Sequence, residues 1–317
     1  MKITVVSHFD KNYVSQGIAM MRSIRSLSSL KVIFCCICHD EESIRMVERE
    51  NREAGDSDSI QFLTSNLIDS SSELKLTFQN RNRIEFLYAL SPFIVEYAIN
   101  KIDSDVTVYV DADIYFYGDI KECLLPIIEG NKKVIFVEHR FKVMARNKMK
   151  YGKFNVGLVA FKNESDAKLV IEMWKNMCMA GTPQTLKDGM FGDQLYLEEI
   201  AKTIKYVYSE SRKGHNEAAW NCEQRISSKG EVIFTDGARL IYYHFSGLKI
   251  GKFLANSQFA AYGEKMLKAT RDLVYKPYCR NIRRIRREYA ISNYRIRKSL
   301  PFKELIKKVY KLDIFVF

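Results

Sequence analysis

Asp111 and Asp113 are the residues whose type and spacing most clearly suggest chemistry. They follow the apolar run Val106–Val110 and stand one residue apart, with Ala112 between them. The β-branched and aromatic residues of that run predict a buried strand, and positions i and i+2 of an extended chain project to the same side. Adjacent carboxylates repel each other and ionise most easily when a cation lies near them. The pair therefore indicates a site for a hard divalent ion carrying a diphosphate; the alternative is an ordinary polar surface turn.

Two further polar residues border apolar segments. His244 ends an aromatic run that predicts a strand, and it is either a ligand or a histidine satisfied at the edge of the core. Asn155 begins the strand predicted over 154–161, where it either binds a ligand or ends a turn. Gly157 lies inside the same strand, and a glycine in that setting predicts close approach of backbone or ligand.

The elements that must position these residues alternate between strand and helix patterns. Strands are predicted over 3–7, 31–38, 60–63, 106–110, 134–137, 154–161, 204–208, 231–235 and 239–243. Helices are predicted after the first two strands, over 86–100 with Pro92 beginning or interrupting it, over 164–178, and after Gly192-Asp193-Gln194. The alternation predicts an α/β fold with a Rossmann-like, doubly wound and mostly parallel sheet, which binds ligands at the carboxyl ends of its strands.

Composition limits the class of protein. The 317 residues are 47% hydrophobic and 28% charged, as in folded soluble proteins, and neither a signal peptide nor a membrane-spanning run is evident. The seven cysteines have poor zinc spacing and an odd count, which predicts reduced thiols in a cytoplasmic protein. Residues 274–317 hold 13 Lys/Arg and 3 Asp/Glu, so that segment carries most of the net charge of +12. The rest is nearly neutral, which argues against nucleic-acid binding by the whole chain.

Several motifs occur together in one order along residues 1–255. They are Asp10-Lys11-Asn12-Tyr13, Val110-Asp111-Ala112-Asp113, Phe154-Asn155-Val156-Gly157-Leu158, Gly192-Asp193-Gln194 and His244-Phe245-Ser246-Gly247-Leu248-Lys249. In this order the chain resembles the sugar-nucleotide-dependent glycosyltransferases of the GT-A fold, and most of all the family-8-like members that build bacterial surface polysaccharides. Each motif is weak alone, and the ordered set is specific.

The resemblance implies roles for particular residues. It implies a GT-A catalytic domain over 1–260 that moves a hexose from a nucleotide diphosphate, taken as UDP, to a growing lipid-linked glycan. The implied metal ligands for Mn²⁺ or Mg²⁺ are Asp111, Asp113 and His244. The implied donor-binding residues are Asp10, Asn12, Tyr13, Arg83, Asp111, Ala112, Asp113, Gly247 and Lys249. The implied residues beside the sugar are Asp193, Gln194 and Asn155, although Asp193 would equally suit a helix N-cap. A non-catalytic binding module of the same fold is the alternative.

This sequence departs from the family pattern in two places. Lys249 comes earlier than the family's phosphate-binding lysine, and Lys252 is a rival for that role. The helix over 86–100 lacks the arginine that the family has there, so Arg83 is expected to substitute. These differences bear on the donor and the acceptor more than on the fold.

The segment 261–317 is predicted to be a basic, helical C-terminal extension. Apolar residues such as Ile282, Ile285, Leu305 and Val309 recur at helical spacing among arginines and lysines. This pattern is typical of an interfacial helix on anionic lipid, which predicts a cytoplasmic enzyme peripheral on the inner face of the membrane. The alternatives are a helix packed on the domain and, less favoured, a nucleic-acid contact.

Overall fold

The computed structural model describes residues 1–222, 225–228, 231–234, 236–291 and 313–317. Its strands are β1 Lys2–Phe9, β2 Lys31–Cys38, β3 Ile60–Leu63, β4 Val106–Val110, β5 Ile114–Phe116, β6 Val134–Glu138, β7 Phe154–Lys162, β8 Val207–Glu210, β9 Arg225–Ser228, β10 Glu231–Phe234, β11 Tyr242–His244, β12 Lys249–Ile250, β13 Leu254–Asn256 and β14 Ile314–Val316. Its α-helices are α1 Val14–Leu27, α2 Glu41–Glu53, α3 Thr64–Ser70, α4 Ser72–Gln79, α5 Arg83–Lys101, α6 Lys121–Ile128, α7 Ser165–Ala180, α8 Tyr196–Thr203, α9 Lys268–Thr270 and α10 Lys276–Glu288. Short 3₁₀-helices span Val143–Tyr151 and Phe259–Tyr262, and a π-helical turn spans Arg271–Tyr275.

A seven-stranded sheet organises the molecule in the order β3-β2-β1-β4-β7-β6-β8. The pairs β3–β2, β2–β1, β1–β4 and β6–β8 are parallel, whereas β7 runs antiparallel to both neighbours. The predicted α/β class with a mostly parallel sheet is confirmed. The carboxyl ends of β1, β2 and β4 meet at one edge, as ligand-binding α/β sheets require.

Two hydrophobic cores lie on the opposite faces of this sheet. Val5 packs in one core with Ile18 of α1, and Val6 packs in the other with Leu90 and Ile94 of α5. Successive residues of a strand point to opposite faces, so a strand covered by helices on both sides is apolar at every position. This explains why Ile3, Val5 and Val6 of β1 and all five residues of β4 are buried, whichever face of the sheet they point to.

The helix that precedes β4 is longer than predicted. It begins at Arg83, where the Asn82 side chain accepts hydrogen bonds from the backbone N–H groups of Ile84 and Glu85, and it continues through Pro92. An interior proline costs about 3 kcal/mol. The apolar residues around Pro92 are nearly all buried, and their burial outweighs that cost.

The basic C-terminal segment contributes to the core over its described part. In α10 the side chains of Tyr278, Ile282 and Ile285 are buried in the same core as β1 and α1, and so is Phe315 of β14. The apolar face of α10 is therefore not available to lipid, and the alternative of a helix packed on the domain holds for this helix. Leu305 and Val309 lie outside the described residues. The domain boundary at 260 stays a prediction.

None of the described helices has the length and apolar character needed to cross a membrane.

Candidate metal and donor site

A cavity of about 410 Å³ opens at the carboxyl ends of β1, β2 and β4. Most of the residues predicted for the site line this cavity: Asp10, Tyr13, Asp111, Ala112, Asp113, Asn155, Asp193, Gln194, His244 and Gly247. Tyr88, Ser91 and Tyr109 also line the cavity. Polar residues that are far apart in sequence thus converge on one concave surface.

Asp111, Asp113 and His244 form one polar cluster in the cavity wall. One ligand atom from each lies within 4.8 Å of the others. The Nε2 atom of His244 is 3.1 Å from Oδ1 of Asp113 and 3.6 Å from Oδ2 of Asp111. Antiparallel pairing of β11 with β5 sets His244 opposite Ile114, which brings it beside the Asp-x-Asp turn.

Asn155 lies in the cavity wall, where its side chain holds the His244 ring. Its Oδ1 atom lies 3.0 Å from Nδ1 of His244 and also accepts from the backbone N–H of Gly157 at 3.1 Å. A carboxamide oxygen only accepts, so Nδ1 carries a proton, and Nε2 is the ring nitrogen that faces the carboxylates. The family resemblance implies that Asn155 lies beside the sugar. In the structure, its hydrogen bond to Nδ1 positions the His244 ring.

Gly157 is required for this packing. A Cβ atom added there would lie 2.5 Å from Oδ1 of Asn155 and 2.7 Å from two atoms of the His244 ring. The backbone oxygen of Gly157 accepts from the N–H of Asp111 at 2.9 Å. The close approach predicted from a glycine within an apolar strand is therefore found, and the group that approaches is the His244 ring.

Burial and charge oppose each other at the cluster. Burial raises the pKa of Asp111, and the neighbouring His244 opposes this shift. Burial lowers the pKa of His244, but Asp113 and Asp111 outweigh it, so the net shift of this pKa is upward. The two carboxylates thus favour the imidazolium form of His244 when no metal ion is bound.

The donor set fits a divalent ion. Two carboxylates and one imidazole nitrogen with its lone pair directed at them are a mixed oxygen and nitrogen set, which suits Mn²⁺ better than Ca²⁺. Tyr109 donates a hydrogen bond to Oδ1 of Asp111 at 2.8 Å, as supporting residues around metal ligands commonly do. Sequence reasoning missed Tyr109, although its place two residues before Asp111 on β4 puts both on one face.

Asp193 lies in the buried wall of the cavity and does not cap a helix. The helix α8 begins at Tyr196, and Leu195 is its N-cap residue. Burial raises the pKa of Asp193 to about 7, while a hydrogen bond from Ser91 opposes the shift and the charge of Asp111 adds to it. The carboxyl group is therefore half protonated near neutral pH, and its protonated form can donate a hydrogen bond.

A hydrogen bond holds the side-chain amide of Gln194 in one orientation. Its Nε2 donates to the backbone oxygen of Tyr151 at 2.6 Å. With the amide nitrogen engaged, the side-chain oxygen is oriented as the acceptor, and the residue lines the cavity beside Asp193. A carboxyl that can donate and an amide oxygen that accepts suit a polyhydroxylated ligand.

The loop after β1 is braced by Asp10. One carboxylate oxygen accepts from the backbone N–H of Asn12, and the other accepts from the Asn12 amide and from Arg83 at 2.7 Å. Arg83 is mostly exposed and reaches the site only through Asp10. Tyr13, also exposed, lines the cavity at the start of α1.

Lys249 and Lys252 lie apart from the cavity. Lys249 is exposed on β12, outside the cavity wall, whereas Gly247 is in it. Lys252 lies over the ring of Phe253. The described structure therefore brings neither lysine to the metal ligands, and the phosphate-binding role of Lys249 stays a prediction.

Two histidines in the wall are not predicted as site residues from the sequence, where His8 is interpreted as structural. His8 is the second-last residue of β1 and His39 follows β2, and both line the cavity. The rule that selected Asp111, a polar residue at the carboxyl end of an apolar strand, would have selected these residues as well. Trp220, which the family resemblance places near the sugar site, contacts His244, with the two rings edge to face and their centroids 5.5 Å apart.

Asn155→Ala should lower the affinity for Mn²⁺ by about 10- to 100-fold, because the variant no longer fixes the ring orientation and tautomer of His244. Isothermal titration of the metal into purified protein measures this without any substrate. Asn100→Ala removes an exposed amide of α5 and is the matched control, expected to bind Mn²⁺ like the wild type. Equal affinities for all three proteins would contradict the positioning role.

The raised pKa of Asp193 predicts that the free energy of unfolding depends on pH. Its pKa of about 7 in the folded protein exceeds its ordinary value of 3.8, so the folded state binds this proton more tightly, and stability is lost as pH rises from about 4 to about 7. Asp193→Asn cannot ionise. Its melting temperature in EDTA should therefore rise relative to wild type by roughly 5 °C between about pH 5 and about pH 8. Asp103→Asn, fully exposed, should show no such trend.

Comparison with known proteins agrees with this architecture. No family model matches the sequence. The uncharacterized protein YfnF of Bacillus subtilis (strain 168) is 25% identical over 250 residues, which are 76% of this chain and 80% of YfnF. The galactosyltransferase LgtC, solved with donor and acceptor sugar analogs, superposes with a TM-score of 0.52 at 14% identity over 96% of this chain and 99% of LgtC. Mouse xyloside xylosyltransferase 1 gives 0.50 at 11% identity, over 78% of this chain and 98% of its own. The chain therefore has the fold of the GT-A glycosyltransferases.

Proposed function

We propose that the protein is a metal-dependent glycosyltransferase that moves a hexose from a UDP-hexose to a growing lipid-linked glycan in bacterial surface polysaccharide synthesis. The observation that carries the proposal is the cluster of Asp111, Asp113 and His244 at the base of a cavity in a GT-A fold. The similarity to LgtC, which its name describes as a galactosyltransferase, supports a hexose as the transferred sugar.

The cluster supplies what a sugar diphosphate requires. The nucleotide leaves as an anion, so catalysis depends on neutralising the charge that develops on the diphosphate. A bound Mn²⁺ or Mg²⁺ would supply this neutralisation as a Lewis acid. Asn155 holds a proton of His244 at Nδ1, which leaves Nε2 as the nitrogen that would bind the ion, and Tyr109 orients Asp111.

The opposite wall would hold the sugar. Ser91 and Tyr109 lie between Asp193 and Asp111, since Ser91 hydrogen-bonds to Asp193 and Tyr109 hydrogen-bonds to Asp111. These residues and Gln194 all line the cavity. The protonated carboxyl of Asp193 donates to one hydroxyl of a hexose, and the oxygen of Gln194 accepts from another. Holding the sugar in this way orients its anomeric carbon relative to the acceptor, and loss of such positioning commonly costs about 10²-fold in rate.

A binding module that holds a nucleotide sugar without turnover is the second reading of the same cavity. It shares the metal cluster and differs only in chemistry. Release of UDP from a panel of UDP-sugars, measured with and without Mn²⁺, separates the two, because a binding module would retain the donor intact.

Asp113→Ala should abolish metal-stimulated hydrolysis and transfer, because it removes one of three ligands and leaves His244 with a single carboxylate. EDTA should have the same effect on the wild type. Asp103→Ala removes a carboxylate that is fully exposed and pairs only with Lys2, so its activity should match wild type. Full activity of Asp113→Ala, or of the wild type in EDTA, would exclude the metal-dependent mechanism.

We also propose a peripheral position on the inner face of the membrane, where a lipid-linked acceptor would be met. The apolar face of α10 packs in the core, so its contribution to lipid binding is electrostatic. Arg280, Arg284 and Arg287 are exposed on this helix. Each such arginine near an anionic surface is worth about 1 kcal/mol.

The triple variant Arg280→Ala, Arg284→Ala and Arg287→Ala should therefore lose about 100-fold in affinity for anionic phosphatidylglycerol vesicles in a flotation assay at low salt. The matched control replaces three exposed lysines of α4, α5 and α7, namely Lys75, Lys101 and Lys168, with alanine. Equal losses in both triple variants would show that only the net charge matters and would remove the specific role of α10.

A further inference from the structure

A buried chain of hydrogen bonds connects the end of β2 to the cavity. Thr64 donates from its hydroxyl to the backbone oxygen of Cys38 at 3.2 Å, and the same hydroxyl lies 2.7 Å from Nδ1 of His39. The Nε2 atom of His39 then lies 2.9 Å from Nδ1 of His8. The two imidazole rings meet edge to face, with their centroids 5.1 Å apart.

One arrangement of protons satisfies all three contacts. A backbone carbonyl only accepts, so the single hydroxyl proton of Thr64 goes to Cys38, and the hydroxyl oxygen must accept from Nδ1–H of His39. The Nε2 atom of His39 is then unprotonated and accepts from Nδ1–H of His8. It follows that Nε2 of His8 is unprotonated as well. The proton positions are thus assigned from the network.

Both rings are neutral at physiological pH. Burial lowers the pKa of His8 to about 3, and the adjacent His39 lowers it further. Burial likewise lowers the pKa of His39 to about 4. The relay therefore keeps its tautomers across the range in which the protein works, and His8 stays an acceptor at Nε2.

That acceptor is available to a ligand. His8 lines the cavity, and within the part of the chain that the structure describes its Nε2 atom has no hydrogen-bond partner. The Asp10 carboxylate, in the same cavity wall, differs in that it already accepts three hydrogen bonds, from Asn12 and from Arg83.

The position of His8 relative to the metal ligands matches an elongated nucleotide. The strands β2, β1 and β4 are consecutive neighbours, and adjacent strands lie about 4.8 Å apart. Asp111 follows β4, His8 lies near the carboxyl end of β1 and His39 follows β2. Because the proposed function assigns the sugar to Asp193 and Gln194, a diphosphate held at Asp111 places the base, at the other end of the donor, toward the histidine pair.

We propose that Nε2 of His8 reads the base of the donor nucleotide by accepting a hydrogen bond from a pyrimidine N3–H, as uracil or thymine presents, with His39 and Thr64 as positioning residues. Cytosine has no proton at N3, so the same acceptor opposes its lone pair. The inference rests on the proposed function for the nucleotide donor and adds the specificity determinant.

Binding of UDP and N3-methyl-UDP in the presence of Mn²⁺, measured by calorimetry, tests the proposal. The wild type should prefer UDP by about 10- to 100-fold, since methylation removes the donor and leaves the buried acceptor unpaired. His8→Phe keeps the ring and lacks the acceptor, so its preference should fall to about one. Thr64→Val leaves His8 in place and frees the His39 tautomer, so its preference should fall between these values.

Pyrophosphate with Mn²⁺ is the control ligand, because it engages the metal end alone and should bind wild type and His8→Phe equally. Equal affinity of the wild type for the two nucleotides, or an undiminished preference in His8→Phe, would overturn base reading and leave the transferase proposal intact. Binding of pyrophosphate without binding of any nucleoside diphosphate would overturn both.

Discussion

The site depends on one close contact, the seating of the His244 ring against the backbone of Gly157. Gly157 has three roles there. Its oxygen accepts from the N–H of Asp111, its N–H donates to Asn155, and the absence of a Cβ atom leaves room for the imidazole. Through these contacts β7 fixes both β4 and β11. Of the candidate metal ligands, His244 lies on β11, and Asp111 and Asp113 lie in the short turn that joins β4 to β5. Elements anchored in this way position side chains more accurately than long loops do.

In this cluster a bound divalent ion would replace the proton of His244 as the positive charge beside the two carboxylates. Two carboxylates in a buried cavity are costly, and the upward pKa shifts of Asp111 and His244 show how the protein limits the cost when no ion is bound. A divalent ion must displace the proton from Nε2 of His244, because imidazole binds metals in its neutral form. Metal affinity therefore depends on pH through the protonation of His244 at Nε2, while the hydrogen bond to Asn155 keeps Nδ1 protonated.

The basic C-terminal segment shows how packing decides between functions that share one pattern. Apolar residues at helical spacing among arginines are typical of a helix that lies on a lipid surface. They are equally typical of a helix that packs against a protein core. In α10 the core takes the apolar face, and Arg286 is buried with it, donating to the backbone oxygen of Ile250 at 2.7 Å. A chain cut at 274 would lose buried side chains from the core, so truncation does not isolate a membrane-binding function.

The sequence by itself determined the α/β class, most of the strands, and Asp111, Asp113 and His244, since each of these rests on local periodicity and on polar residues at strand ends. It did not determine partners. Asn155 holds the His244 ring, and Asp193 acquires a pKa of about 7 because the surrounding elements bury it. The relay through His8 likewise exists because β1 and β2 lie side by side. Hydrogen-bond partners, burial and pKa depend on residues distant in the chain, so only the tertiary structure could decide them.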